Sequence, residues 1–231
     1  MAGVFETIRV RGGQMPFLER HLARLREACA ALDAGAVDEA LGARIQESVK
    51  APDMVIRVTI EEGQERVETR AAPPAEPMRV VFSGTAHQPY PWKSTDRAVF
   101  DRARGRVVPY RADEVILLAE GGVIAEGCIS SVFFWLGTTL CTPSLDLGIL
   151  PGIGRARLIE LARSLGIPVQ QGLFTKAEAQ GLPLFLVNSV RGIMETTRHG
   201  DRRSPVGDDR TSKLADRFWT EAPVETGPSR V

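Results

Sequence analysis

The sequence is short of the residues that disulfide and metal chemistry require. Its three cysteines, Cys29, Cys128 and Cys141, are far apart and form no C-x-x-C pair, so neither a disulfide framework nor a cysteine-rich zinc site is indicated. His21, His87 and His199 are the only histidines, and none lies three or four residues from another. That spacing disfavours a histidine metal site or a Ser-His-Asp arrangement. No apolar run approaches the ~20 residues needed to span a bilayer. The opening stretch, Met1 to Gly13, carries Glu6, Arg9 and Arg11 where an export signal would carry an apolar core. A cytoplasmic chain with no membrane partner is expected. The 29 basic and 29 acidic residues cancel, which removes the broad positive field that nucleic acid would need and leaves a small molecule as the expected partner. Lysine is scarce as well: Lys50, Lys93, Lys176 and Lys213 are the four candidates for any lysine chemistry.

What is present suffices for a sizeable core, since 43% of the 231 residues are hydrophobic and 25% are charged, a balance typical of one or two globular domains. Val4 to Val10 alternates as a strand does. The segment from Pro16 to Leu32 repeats Leu18, Leu22, Leu25, Cys29 and Leu32 at helical spacing, with His21 and Arg24 flanking the stripe. Met54 to Ile60 and Arg66 to Ala71 read as a hairpin, and Met78 to Phe82 as a further strand. These elements suggest a small sheet-plus-helix domain over 1–85. Prolines 73, 74, 89 and 91 keep the chain extended near the boundary.

A larger α/β domain is expected over 86–231. Glu114 to Ala119, Gly122 to Ala125 and Ser130 to Leu136 read as a meander, and Gly152 to Leu165 as a helix ended by Gly166. A strand from Ile167, a short helix from Thr175, the apolar run Leu184 to Val187 and a last helix from Thr211 to Trp219 follow. The closing Gly-Pro-Ser-Arg-Val reads as frayed.

Three places could carry chemistry. Lys93 follows the stiff, largely apolar Pro89-Tyr90-Pro91-Trp92. Desolvation there would lower its pKa and let the neutral amine form a Schiff base, although a lone loop lysine is more commonly a solvated surface residue. Glu126, in Ala125-Glu126-Gly127-Cys128-Ile129-Ser130-Ser131, is either a hydrogen-bonded turn residue or an acid aimed at a cation. Leu150-Pro151-Gly152-Ile153-Gly154-Arg155 leads into a helix whose free amides could take a phosphate, or it is an ordinary loop. It does not complete G-x-G-x-x-G, which disfavours a dinucleotide fold.

Taken in order, these pieces form a larger pattern. Phe5-Glu6-Thr7-Ile8-Arg9-Val10, His21-Leu22-Ala23-Arg24-Leu25, Lys93, the run from Glu126 to Ser131, Leu150-Pro151-Gly152-Ile153 with Arg155, and Asn188-Ser189-Val190-Arg191-Gly192 resemble the class IV aminotransferases over residues 3–195. Each motif is weak, but coincidences in one order multiply. The resemblance implies a two-domain α+β fold of the D-amino-acid and branched-chain aminotransferase kind, pyridoxal 5'-phosphate as cofactor, and a homodimer. It matches Lys93 to the lysine that binds the cofactor covalently and moves protons, and Glu126 to the acid on the ring nitrogen. Arg24, the amides of Ile153 and Gly154, and Ser189 match the phosphate cradle.

Ser131, Cys128 and Gly154 depart from the family's usual residues, and Gly154 replaces a frequent threonine, which implies weaker phosphate binding. The likeness starts at the Phe5-Glu6-Thr7 element, without the family's usual first strand. In this it resembles the aminodeoxychorismate lyase domain found fused to aminodeoxychorismate synthase component I, whose Asn-Ser-Leu-Arg-Gly element resembles Asn188 to Gly192. Arg191 is then expected to hold a substrate carboxylate, in a reaction that yields 4-aminobenzoate, a folate precursor, and pyruvate. A class IV aminotransferase and a non-catalytic descendant of the family are the alternatives, and the joint presence of Lys93, Glu126 and Arg24 argues against the latter.

Overall fold

In the computed structural model, residues 2–107, 111–199, 202–203 and 208–220 are described. The closing Gly-Pro-Ser-Arg-Val lies outside them. Strand β1 (Val4–Val10) precedes helices α1 (Leu18–Leu32) and α2 (Leu41–Glu47), and the hairpin β2 (Met54–Glu61) and β3 (Gln64–Ala71) completes an antiparallel sheet of order β1-β2-β3. Alternation divides β1 between two environments. Val4, Ile8 and Val10 on one face pack with Leu22, Leu25, Ile56 and Val58 into a dry core under α1. Phe5 and Thr7 on the other face line a cavity.

The remaining strands form a second, nine-stranded sheet. They are β4 (Met78–Ala86), β5 (Glu114–Leu118), β6 (Ile124–Gly127), β7 (Ser131–Leu136), β8 (Thr139–Pro143), β9 (Val169–Gly172), β10 (Leu184–Asn188), β11 (Gly192–His199) and β12 (Arg202–Arg203). Helices α3 (Ala98–Val107), α4 (Ile153–Ser164) and α5 (Asp209–Phe218) accompany them. The order is β6-β5-β4-β11-β10-β7-β8-β9, with β12 beside β11. Five strand spacings thus separate β6 from β7, roughly 24 Å in a flat sheet. Four chain steps from Gly127 to Ser131 reach at most about 15 Å. The sheet must therefore curl until β6 returns toward β7, and the loop 128–130 closes the seam.

Both faces of this sheet are buried. Along β7, Phe133 and Trp135 join a core with Phe185, Leu158 and Phe218, while Val132 and Phe134 join another with Met78, Leu186 and Phe174. Phe17, just ahead of α1, lies 6.0 Å from the Phe218 ring, and Arg20 makes a two-pronged ion pair with Glu160 of α4 at 2.9 and 3.0 Å. These contacts seat the small sheet on the large one.

Three expectations change. Strand β4 leaves the small sheet and pairs in parallel with β5 and β11, so sheet membership switches within 72–77. β7 does not extend a meander with β5 and β6 but pairs with β10 and β8. The segment from Thr175 stays at the level of turns: Glu178 accepts from the Thr175 amide and hydroxyl at 2.7 Å, but Gly181, at φ +82°, and Pro183 stop a helix from propagating. Helices α2 and α3 and strands β8 and β11 have no clear local signal in the sequence.

The start of α4 rests directly on the turn after β10. A Cβ at Gly154 would lie 2.6 Å from the Asn188 carbonyl carbon and 2.9 Å from the Ser189 nitrogen. The glycine at this position, a departure from the family's usual threonine, thus has a packing cause. Gly154→Ala should lower stability to chemical denaturation by about 1–3 kcal/mol through overpacking; an unchanged midpoint would show that the helix start can yield.

Candidate active site

A cavity of about 230 Å³ opens between the two sheets. Lys93, Glu126, Arg24, Ile153, Gly154, Ser189 and Arg191 all line it, although they come from five separate segments. Helix α4 presents its first turn there, and no side chain caps its start, so the free amides of Ile153 and Gly154 make that end an electropositive edge.

Arg24 is placed by a buried network. Its Nε and Nη2 donate to the two oxygens of Glu6 at 2.6 and 2.9 Å, and Nη1 donates to the Pro151 carbonyl at 3.0 Å. His21, one helical turn earlier and therefore on the same face of α1, meets Glu6 Oε2 through Nδ1 at 2.7 Å. Burial would raise the Glu6 carboxyl, but Arg24 and His21 outweigh it and hold it well below the usual carboxylate range. Burial pushes His21 below its ordinary value despite Glu6, so the neutral ring donates through Nδ1. His21 Nε2 has no hydrogen-bond partner among the described residues.

Lys93 is partly buried, and its carbonyl accepts from the Phe5 amide at 2.9 Å. Its Nζ lies 4.7 Å from the Phe5 ring centroid. Burial first, and the Arg24 charge second, bring its pKa down from the ordinary lysine value to about 7, with Glu6 and Glu126 opposing. At neutral pH a substantial fraction is the free amine. Glu126 is buried, accepting from His87 Nε2 at 3.1 Å and from the Leu150 amide at 3.3 Å. Burial raises its carboxyl above the usual range although His87 pulls the other way.

The seam loop is organised by a carboxylate that sequence reading passed over. Glu114, fully buried, accepts from the amides of Cys128 and Ile129 at 3.1 and 3.0 Å and from the Ser130 hydroxyl at 2.5 Å. Arg97 donates to the Cys128 carbonyl from the other side. The turn after β10 is held by Asn188, whose Oδ1 accepts from Val190 and Arg191 at 2.9 and 2.7 Å. Of the residues missed, Glu6 had a readable signal: alternation in β1 turns it toward α1, where His21 and Arg24 share a face. For His87, Glu114, Arg57 and Arg97 no local signal exists.

The donor set fits pyridoxal 5'-phosphate. A partly neutral amine suits an aldehyde, a buried carboxylate suits a pyridinium nitrogen, and an arginine with helix-start amides and a serine suits a phosphate. All of them share one cavity.

Residues 3–198 match the family model described as amino-transferase class IV. The aminodeoxychorismate lyase of Bacillus subtilis is 41% identical over 91 residues, which are 37% of this chain and 29% of that protein. A Thermotoga maritima protein named "probable branched-chain-amino-acid aminotransferase" is 38% identical over 107 residues, 46% of this chain and 38% of that protein. The matched regions therefore span well under half of these relatives. The crystal structure of 4-amino-4-deoxychorismate lyase from Pseudomonas aeruginosa superposes with a TM-score of 0.77 at 29% identity, covering 94% of this chain and 89% of that one.

The Lys93 amine can be titrated without any ligand. After reductive methylation with labelled formaldehyde, one lysine resonance should titrate near pH 7 and vanish in Lys93→Arg. In Glu6→Gln its midpoint should fall further, because Glu6 is one of the charges that raise it. A Lys93 midpoint above 9 would contradict the desolvated amine.

Proposed function

The chain belongs to the amino-transferase class IV family, and from that premise we propose that it is a pyridoxal-phosphate-dependent lyase converting 4-amino-4-deoxychorismate to 4-aminobenzoate and pyruvate. The cationic lining of the cavity carries the choice of substrate. Arg57, Arg70, Arg97 and Arg191 line it in addition to Arg24 and Arg155, and no ion pair to a carboxylate is seen for Arg57, Arg97 or Arg191 among the described residues. The Arg57 guanidinium carbon lies over the Phe5 ring, 3.8 Å from its centroid. The proposed substrate has carboxylates on its ring and on its enolpyruvyl group, which suit several separate guanidinium groups. A branched-chain amino acid has one carboxylate and an apolar tail, which would leave the half-buried Arg57, Arg97 and Arg191 without a matching anion.

When bound, pyridoxal phosphate supplies an aldehyde for an amine and a ring that withdraws electron density from the amine-bearing carbon. Arg24, the amides of Ile153 and Gly154, and Ser189 would hold its phosphate, Glu126 its ring nitrogen and Lys93 its aldehyde carbon. Lys93 would also act as the base that removes the ring proton at the amine-bearing carbon of the substrate. The bond to the enolpyruvyl oxygen breaks, the departing three-carbon unit takes up a proton as pyruvate, and the six-membered ring becomes aromatic. Arg191 holds a carboxylate throughout, so the substrate presents the same carbon to Lys93. A twofold homodimer belongs to the same proposal.

The aminotransferase reading is supported by the likeness to the Thermotoga maritima protein. In that reading the same residues would move the amino group to a keto acid. Incubation with aminodeoxychorismate should release pyruvate and 4-aminobenzoate in equal amounts. Glutamate formed from a branched-chain amino acid and 2-oxoglutarate, with no pyruvate from aminodeoxychorismate, would decide for transfer.

Two substitutions accompany this test. Borohydride reduction should fix a pyridoxyl group on Lys93 and on none of Lys50, Lys176 or Lys213, and Lys93→Ala should lose both the yellow colour and turnover. Arg191→Ala should cut kcat/KM for aminodeoxychorismate by about tenfold or more with cofactor content unchanged; equal kinetics would remove Arg191 from the substrate site.

A further inference from the structure

Glu126 presents a physical problem that its own strand does not solve. A carboxylate buried to this extent favours its neutral form, because a charge is expensive to desolvate. A neutral acid could not pair with a cationic ring nitrogen. Two donors compensate, one on each oxygen. The Leu150 amide reaches Oε2 at 3.3 Å and His87 Nε2 reaches Oε1 at 3.1 Å. Leu150 contributes backbone, so its bond follows from the loop into α4. His87 contributes a side chain that is itself 2% exposed. It stands just past the end of β4, where its own amide is tied to the Leu118 carbonyl at 2.8 Å, and both its backbone and its ring are therefore fixed.

We propose that His87 is the positioning residue for Glu126: its Nε2–H holds the carboxylate in its charged form and in one orientation, ready for a cationic ring nitrogen entering the cavity. The inference rests on the reading of Glu126 as the acid that meets the cofactor ring. Lys93 and Tyr90, from the segment following His87, also interact with Glu126, and Arg24 and Arg97 line the same cavity. Lys93 also favours the charged carboxylate, but its ammonium is lost once the amine is engaged by an aldehyde. Tyr90 is neutral, with burial pushing its hydroxyl above its ordinary value. His87 is then the side chain that continues to donate to Glu126.

The sign of the effect is defined. His87 lowers the pH at which Glu126 takes up a proton, so removing His87 should move that protonation to higher pH and weaken ring binding on the acid side. The experiment measures the affinity of the full chain for pyridoxal 5'-phosphate as a function of pH, by fluorescence, in wild type, Glu126→Gln, His87→Phe and His87→Gln. Wild-type affinity should fall along an acid limb that Glu126→Gln abolishes. In His87→Phe the limb should move up by about one pH unit, with affinity near neutrality about tenfold weaker, as for loss of a hydrogen bond to a charged group. His87→Gln, which keeps an N–H donor, should return to within about threefold of wild type.

A lower melting temperature in His87→Phe with the limb unmoved would make His87 a packing residue and overturn the proposal. If Glu126→Gln leaves the wild-type profile intact, Glu126 does not meet the ring, and the reading beneath the proposal fails with it. Should His87→Phe not fold, nitrogen-15 histidine spectra of the wild type decide instead. The His87 Nε2 must carry a proton that responds to Glu126→Gln, and a bare Nε2 overturns the proposal.

Discussion

The buried contact among Glu6, Arg24 and His21 is the constraint on which the rest of the site depends. It joins the first strand to the first long helix, and through the Arg24 bond to Pro151 it reaches the loop that starts α4. A paired buried charge of this kind is costly to assemble, and removing one partner typically costs 3–5 kcal/mol because the other is left uncompensated. Because Glu6 is held well below the usual carboxylate range, its contribution to stability is present above its unfolded pKa and is lost only as pH falls through its folded value. Across the physiological range the network is a fixed part of the scaffold. The guanidinium is thereby aimed before any ligand arrives, which lowers the ordering cost of binding.

The same network shapes the chemistry of Lys93. Arg24 pushes the amine toward its neutral form while Glu6 and Glu126 pull it back, and burial decides the balance. The site contains more positive than negative side chains, with Arg57 and Arg97 near Phe5 in addition to Arg24 and Lys93. The aromatic ring between them offers a polarisable surface that tolerates cations where water is partly excluded. An excess of partly buried positive charge is tolerable in a site that receives phosphate and carboxylate groups.

Closure of the large sheet supplies the opposite wall. Three residues between β6 and β7 replace a span of five strand spacings, and the amides of Cys128 and Ile129 and the Ser130 hydroxyl are gathered on the Glu114 carboxylate, with the Cys128 amide shared with the Val115 carbonyl of β5. This is why Glu126, next to last in the regular strand β6, nonetheless faces a cavity. It is also why Gly127 is needed, since a Cβ there would come within 3.0 Å of the Ser130 carbonyl and 3.2 Å of the Glu114 carboxyl carbon. The glycine at position 154 plays a similar part on the other side, letting the helix start and the Asn188–Ser189 turn share one small volume.

By itself the sequence determined the strand at Val4 to Val10, the helical stripe from Leu18, the hairpin around Glu62-Gly63 and the helix after Gly152, because each is a local matter of period, turn residues and caps. It also marked Lys93 and Glu126 as candidates by the residues beside them, and Arg24 through the resemblance of the ordered motifs to a family. The placement of β4 in the large sheet, the separation of β7 from β5 and β6, and the turns left at Thr175 were decided by long-range pairing, which no local pattern encodes. So were the partnerships of Glu6 with Arg24, of Glu114 with the seam loop and of His87 with Glu126, which join residues 18, 14 to 16 and 39 positions apart. A side chain's spacing in sequence tells which face of its own element it occupies; which charge it meets depends on how the curled sheet closes.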